Sequence, residues 1–163
     1  MKVSFRKNIT VNDIDRIRQI AHSTGFFRND EIDVAVELVT EALAKGQEQS
    51  GYFFLFSMME NNTTGFVCYG PTPCTIGTYD LYWIVVDNHY RGTGTGKILM
   101  QQTEKELIAR EARKLYIETS STNKYLPTRK FYENCGYAEE ARLKDFYSQG
   151  DDKVIFSKVL MEN

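Results

Sequence analysis

The chain has 163 residues, 42% of them hydrophobic and 13% aromatic, enough to bury a real core. Twenty basic residues against 22 acidic leave a net charge of −2, which excludes the basic footprint of a nucleic-acid or membrane-surface binder. No apolar run reaches a membrane span, and three cysteines without a C-x-x-C pair predict a reduced, cytoplasmic protein.

The alternation Val3-Ser4-Phe5 predicts an opening strand within residues 1–9. Thr10 and Asp13 resemble a capping box, after which Ile14, Ile17 and Ile20 recur at helical spacing. A loop at 24–28 carries Phe26, Phe27 and Arg28, three residues that suit a substrate-facing or core-capping role. A second helix is expected over 30–45, with Ile32, Val36, Val39 and Leu43 on one stripe and Gly46 as its stop. Residues 52–59 are strongly β-prone, and 61–65 read as the turn that returns the chain into 66–69. Gly70-Pro71-Thr72-Pro73 breaks that strand, and Thr78–Val86 forms the next.

The segment that follows carries the most chemistry. Strand Thr78–Val86 runs into Asp87-Asn88-His89-Tyr90-Arg91-Gly92-Thr93-Gly94-Thr95-Gly96-Lys97, and a helix is predicted over 98–112. A glycine-rich loop feeding a helix N-terminus presents several backbone N–H groups outward, where the helix dipole favours an anion. A phosphate or pyrophosphate is the expected guest. The dinucleotide pattern G-x-G-x-x-G fails because Lys97 stands where its last glycine belongs. The P-loop pattern fails at Arg91 and Ile98.

A strand over 115–119, a helix over 127–134, a strand over 137–146, a turn at 150–152 and a strand over 153–160 complete the chain. The order β-α-α-β-β-β-α-β-α-β-β predicts an α/β or α+β domain with a largely antiparallel sheet. His22 and His89, the only histidines, lack ligand-spaced neighbours, so no metal is expected. No histidine is placed to activate a cysteine, which argues against a thiol nucleophile.

Two motifs together resemble the GNAT superfamily of acetyl-CoA-dependent N-acetyltransferases: R-x-x-G-x-G, read at Arg91, Gly94 and Gly96, and Phe131-Tyr132-Glu133-Asn134-Cys135-Gly136-Tyr137, which looks like F/L-Y-E-x-x-G-F/Y. The resemblance covers nearly the whole chain. It implies one N-acetyltransferase domain over 1–163, with a mostly antiparallel mixed sheet of about seven strands and four helices. It implies acetyl-CoA as co-substrate and a small-molecule or peptide amine as acceptor; separately, the strand edges at the C-terminus could support a homodimer. The backbone of Ile84, Val85 and Val86 would bond the pantetheine arm. Arg91, Gly92, Thr93, Gly94, Thr95, Gly96 and Lys97 would wrap the pyrophosphate. Tyr132 would assist the departing thiolate, a transfer uphill by ~2 kcal/mol on reference values, which favours hydrogen bonding over full donation.

Glu118 and Asn123 fit the same pattern, although the spacing from Asn123 to Tyr132 is longer than in many members and Tyr125 occupies the usual position. An amine acceptor with a pKa of about 10.4 is neutral in only about one molecule in 10³ at pH 7, so a general base is expected. Asp80, on the cofactor-binding strand and sharing a face with Tyr82, is the candidate. The rival readings are a non-catalytic acyl-CoA-binding or sensory domain and a nucleotide-phosphate enzyme.

Overall fold

The computed structural model describes residues 2–161. In chain order the elements are β1 (Ser4–Arg6), α1 (Asn12–Ser23), α2 (Asn29–Lys45), α3 (Gln47–Ser50), β2 (Phe53–Met59), β3 (Asn62–Pro71), β4 (Thr78–Val86), α4 (Thr95–Ala109), β5 (Lys114–Ser120), α5 (Leu126–Asn134), β6 (Ala138–Ser148) and β7 (Asp151–Val159), with 3₁₀ turns at Asn88–Tyr90 and Asn123–Tyr125. This is the expected mixed α/β order with one addition, the single-turn α3. The seven strands form one sheet in the order β1-β2-β3-β4-β5-β7-β6. β4 and β5 run parallel, whereas β1–β2, β2–β3, β5–β7 and β6–β7 are antiparallel.

The chain divides into two compact units, Met1–Gly70 with Trp83–Thr103, and Pro71–Tyr82 with Glu104–Asn163. In the first, β2 and β3 bury almost every side chain, and Phe54, Phe56, Phe66 and Val85 share a core with Ile17 and Ile20 of α1 and Ala35, Val39 and Ala42 of α2. The buried stripe of α2 is therefore 32/35/39/42, and Leu43 is 38% exposed. Val36 is half-buried and packs against the same core, so of the expected stripe only Leu43 falls outside it.

The β2–β3 turn is tighter than the sequence suggested. Glu60 and Asn61 both take left-handed φ (49° and 66°), and Met59 pairs with Asn62. This is the two-residue geometry whose twist suits a hairpin. At Gly65 a Cβ would stand 2.8 Å from the Val85 carbonyl oxygen, so glycine lets β3 and β4 approach each other. Asp13 bonds back to Thr10, its partner in the expected capping box. Its carboxylate accepts from the Thr10 N–H (2.7 Å) and hydroxyl (3.0 Å) and takes both Arg6 Nη atoms at 2.9 and 2.7 Å.

In the second unit β5 is the hub. Thr78–Leu81 of β4 pair with Lys114–Ile117 on one side, and β7 pairs along the other. α5 ends in a Schellman turn, with Tyr137 N–H bonded to Tyr132 C=O (3.0 Å) and Gly136 N–H to Glu133 C=O (2.9 Å), Gly136 taking φ 88°. The accompanying apolar contact is Tyr132 against Tyr137, ring centroids 6.4 Å apart. The F-Y-E-x-x-G-Y string is thus a helix stop that fixes the position of Tyr132. Tyr137 reaches Glu104 through its hydroxyl (2.9 Å), and Lys158 ties Glu104 to the Cys135 carbonyl.

Candidate active site

In the first unit the glycine loop hangs from a rigid mount. Asp87 closes β4: its N–H bonds Thr64 C=O (2.8 Å), and its carboxylate accepts from His89 N–H (3.1 Å) and Arg16 Nη2 (2.8 Å). Burial pulls its pKa upward, but the His89 and Arg16 interactions together hold it below the ordinary carboxylate value. Ser23 of α1 accepts the Asn88 N–H at 3.0 Å. Beyond this mount Arg91, Gly92, Thr93 and Gly94 are exposed, with Gly92 and Gly94 at φ 75° and 82°. No atom lies within 4 Å of where a Cβ would stand at either glycine.

Thr93 and Thr95 brace the loop from within, hydroxyl to hydroxyl at 2.7 Å, and Thr93 also bonds the Tyr90 carbonyl. Helix α4 begins at Thr95, three residues earlier than expected, and its first bond is Ile98 N–H to Gly94 C=O (3.1 Å). The amides of Thr95, Gly96 and Lys97 precede that bond and carry the positive end of the dipole. Gly96 is consequently helical, and its missing side chain serves approach to the backbone rather than a left-handed φ. Open left-handed glycines before the first turn of a helix are a cradle that fits a pyrophosphate.

Val85 is buried in the first unit's core, whereas Ile84 and Val86 are half-buried. Ile84, Val85 and Val86 continue β4 beyond the pairs that Thr78–Leu81 make with Lys114–Ile117, as extended main chain of the kind that bonds a strand-like ligand.

In the second unit Asp80 lines an open cleft of about 430 Å³ with Thr72, Tyr116, Glu118, Glu140 and Ile155 among its walls. The Thr72 hydroxyl donates to Asp80 Oδ2 at 2.7 Å. Burial raises the Asp80 pKa, the Thr72 bond opposes it, and the Glu118 charge adds to the rise, so the carboxyl sits above its ordinary value. The nearby cations are engaged elsewhere: Lys153 pairs with Glu118 and Lys114 with Glu140, each at 2.8 Å.

Tyr132 is 6% exposed, among Phe131, Tyr137 and Phe156. Burial, with smaller contributions from Cys135 and Tyr125, pushes its pKa far above the ordinary phenol value. The hydroxyl therefore stays protonated, a donor rather than a base. Asn123 is exposed on its 3₁₀ turn and Tyr125 closes that turn, half-buried. Arg129 holds the turn by donating to the carbonyls of Ser120 (2.7 Å) and Thr122 (2.9 Å). Phe27 packs its ring on Trp83 at 5.0 Å and caps the core, while Arg28 pairs with Asp30. Of the three cysteines, all free thiols, Cys68 is buried, which pushes its pKa well up and keeps it protonated. Sequence reasoning missed Arg16, Thr72 and Arg129. The one local signal was the Pro-Thr-Pro string around Thr72.

Fold and loop together define a mixed α/β protein with an open glycine loop at a helix start. The family profile of GNAT acetyltransferases matches residues 14–137. A crystal structure from Desulfovibrio desulfuricans, of a protein assigned to the GNAT family of acetyltransferases, is 44% identical with a TM-score of 0.95, covering 98% of this chain and 100% of that one. The chain belongs to the GNAT acetyltransferase family. Its fold is also that of the ribosomal-protein-S18-alanine N-acetyltransferase from Escherichia coli (16% identity, TM-score 0.77, 99% and 96% covered). An aminoglycoside 6′-N-acetyltransferase complexed with coenzyme A shares it too (17% identity, TM-score 0.77, 100% and 99% covered). No curated protein matches by sequence. No helix among the described residues is long and apolar enough to cross a membrane.

Proposed function

We propose that this protein transfers an acetyl group from acetyl-CoA to a primary amine of a small molecule or peptide, by direct attack within a ternary complex. The observation that carries the reading is the open, left-handed Gly92–Gly94 loop leading straight into the first-turn amides of Thr95, Gly96 and Lys97 at the start of α4. These amides, with Arg91 and Lys97 as exposed cations, would hold the pyrophosphate. When bound, acetyl-CoA supplies an activated thioester. The backbone of Ile84, Val85 and Val86 would bond the pantetheine amides and polarise the thioester carbonyl. Tyr132 would donate a hydrogen bond to the departing sulfur, and its raised pKa makes complete proton transfer still less favourable. Asn123 would contact the coenzyme. Asp80 would take the proton from the acceptor ammonium; a carboxyl raised by burial and a like-charged neighbour is suited to that task. Neighbours of the same fold are named for an alanine of a ribosomal protein and for aminoglycosides, which supports an amine acceptor without selecting one. The three free cysteines support a reduced, cytoplasmic setting.

Calorimetry with coenzyme A and thiol release across an amine panel test the reading. Gly94→Asp puts a negative side chain at φ 82° where phosphate would sit, and acetyl-CoA affinity is expected to fall at least 100-fold in a folded variant. Unchanged affinity removes the loop from the site. Tight binding without thiol release under any acceptor selects the non-catalytic binding domain instead.

A further inference from the structure

We propose that Thr72 is the positioning residue of the acceptor-side carboxylate: its hydroxyl occupies Asp80 Oδ2, fixes the carboxyl plane and leaves Oδ1 to receive the proton. The inference rests on the reading of Asp80 as general base. Thr72 stands between Pro71, which ends β3, and Pro73. A following proline confines a residue to extended backbone, and each proline locks its own φ, so the segment is stiff before any tertiary contact forms. Both main-chain groups of Thr72 are then held. Its N–H donates to Thr78 C=O at 2.9 Å, and its C=O accepts from the Thr75 hydroxyl at 2.7 Å. The β-branched side chain has few rotamers left, and the one adopted meets Asp80 at 2.7 Å.

The other groups facing Asp80 explain why a neutral donor matters. From β5 come Glu118 and Tyr116, and from β6 comes Glu140. Lys153 pairs with Glu118, and Lys114 pairs with Glu140, so neither lysine is bonded to Asp80. A cation bonded to Asp80 would lock it ionised and weakly basic. A hydroxyl orients it while leaving its affinity for a proton. The Thr72 hydroxyl is spent on this bond, so it acts through the carboxylate.

The sign of each change is fixed by this arrangement. Removing the hydroxyl leaves burial and Glu118 unopposed and moves the Asp80 titration upward; neutralising Glu118 moves it downward. The experiment follows the Asp80 carboxyl by carbon-13 NMR titration and, in parallel, the acid limb of kcat/KM against pH, using acetyl-CoA and an accepted amine. Thr72→Val is expected to raise both midpoints together by roughly half a unit to one unit, and to lower plateau kcat about 3- to 10-fold with KM for acetyl-CoA unchanged. Thr72→Ser restores both, and Glu118→Gln shifts both the opposite way. If Thr72→Val does not fold, Thr72→Ala carries the same readings.

An unmoved NMR midpoint and full kcat in the Thr72 variant, with Asp80→Asn inactive, would overturn the role of Thr72 and leave Asp80 as base. Full activity in Asp80→Asn would overturn both.

Discussion

The two units shelter aspartates in opposite ways. In the first, Asp13 and Asp87 keep only 4% and 7% of their side chains exposed, and each meets an arginine at hydrogen-bond distance. Burial alone would raise their pKa values, but the Arg6 and Thr10 bonds at Asp13, and the His89 and Arg16 bonds at Asp87, leave both below the ordinary value. In the second unit, Asp80 has a hydroxyl for a partner and Glu118 for a neighbour, and its pKa rises. A carboxylate clamped by guanidinium has no remaining affinity for protons near neutrality, and its free energy goes into holding elements together. A carboxylate held by a neutral donor beside a like charge can still accept one. The contrast sets the two arginine-clamped aspartates apart from the one proposed as base, without reference to any ligand.

The largest expected effect breaks the chemical side of this contrast. Asp80→Asn preserves size and the Thr72 bond but cannot take a proton. Its kcat is expected to fall by ~10²–10⁴-fold, the range for loss of a general base, with acetyl-CoA affinity unchanged by calorimetry. A loss of less than threefold at neutral pH would mean that another group, or solvent, removes the ammonium proton.

Asp13→Ala tests the structural side. It strands Arg6, which is 27% exposed and stacks on Phe56 at 4.3 Å, and it removes the acceptor that organises Thr10 at the start of α1. Breaking one partner of a buried ion pair costs about 3 kcal/mol, read as a lower urea midpoint, while the rate per folded molecule stays at the parent value. The pH dependence has a definite sign. A folded pKa below the unfolded one contributes stability that is present above the ordinary aspartate value of 3.8 and is lost as pH falls through the folded pKa. The gap between parent and variant should therefore be full at pH 7 and narrow below pH 4.

Much of this arrangement was legible in the chain, wherever the cause is local. Thr78–Val86 was bounded correctly because Gly77 precedes it and Asp87 follows, and Gly46 stops α2 by taking φ 85°. The F-Y-E-x-x-G-Y string placed Tyr132 because it encodes a helix stop. The failures share a different cause. α3 is a single turn, too short for any periodicity, and it exists because the Gln47 side chain bonds Phe54 N–H and Lys7 C=O. Glu60 at left-handed φ was hidden by the more turn-like Asn62-Thr63-Thr64 beside it. Helix α4 starts inside a Gly-Thr-Gly string of poor helix formers, with buried Thr95 bonded to Thr93. The mount of the glycine loop was invisible because Arg16 and Asp87 lie 71 residues apart. Asp80 was named as base from its strand position and the family resemblance; the Thr72 donor and Glu118 charge that tune it come from pairings the sequence does not announce.

The smallest effect sharpens the contrast most, because its sign is opposite to that of Asp13. The folded pKa of Asp80 lies above its unfolded value, so the native state binds more protons than the unfolded chain. Keeping Asp80 ionised in the fold is then a destabilisation. It is absent below the unfolded value, grows as pH rises through the window up to the folded value, and stays constant beyond. Asp80→Asn removes it while keeping an oxygen for the Thr72 hydroxyl. The variant is expected to unfold at a temperature roughly 1–3 °C above the parent at pH 7, with the difference shrinking toward pH 4. Scanning calorimetry at the two pH values reads this directly. A variant less stable than the parent at pH 7 would place Asp80 beside Asp13 and Asp87 as a residue that holds the fold, and the distinction between the two units' carboxylates would disappear.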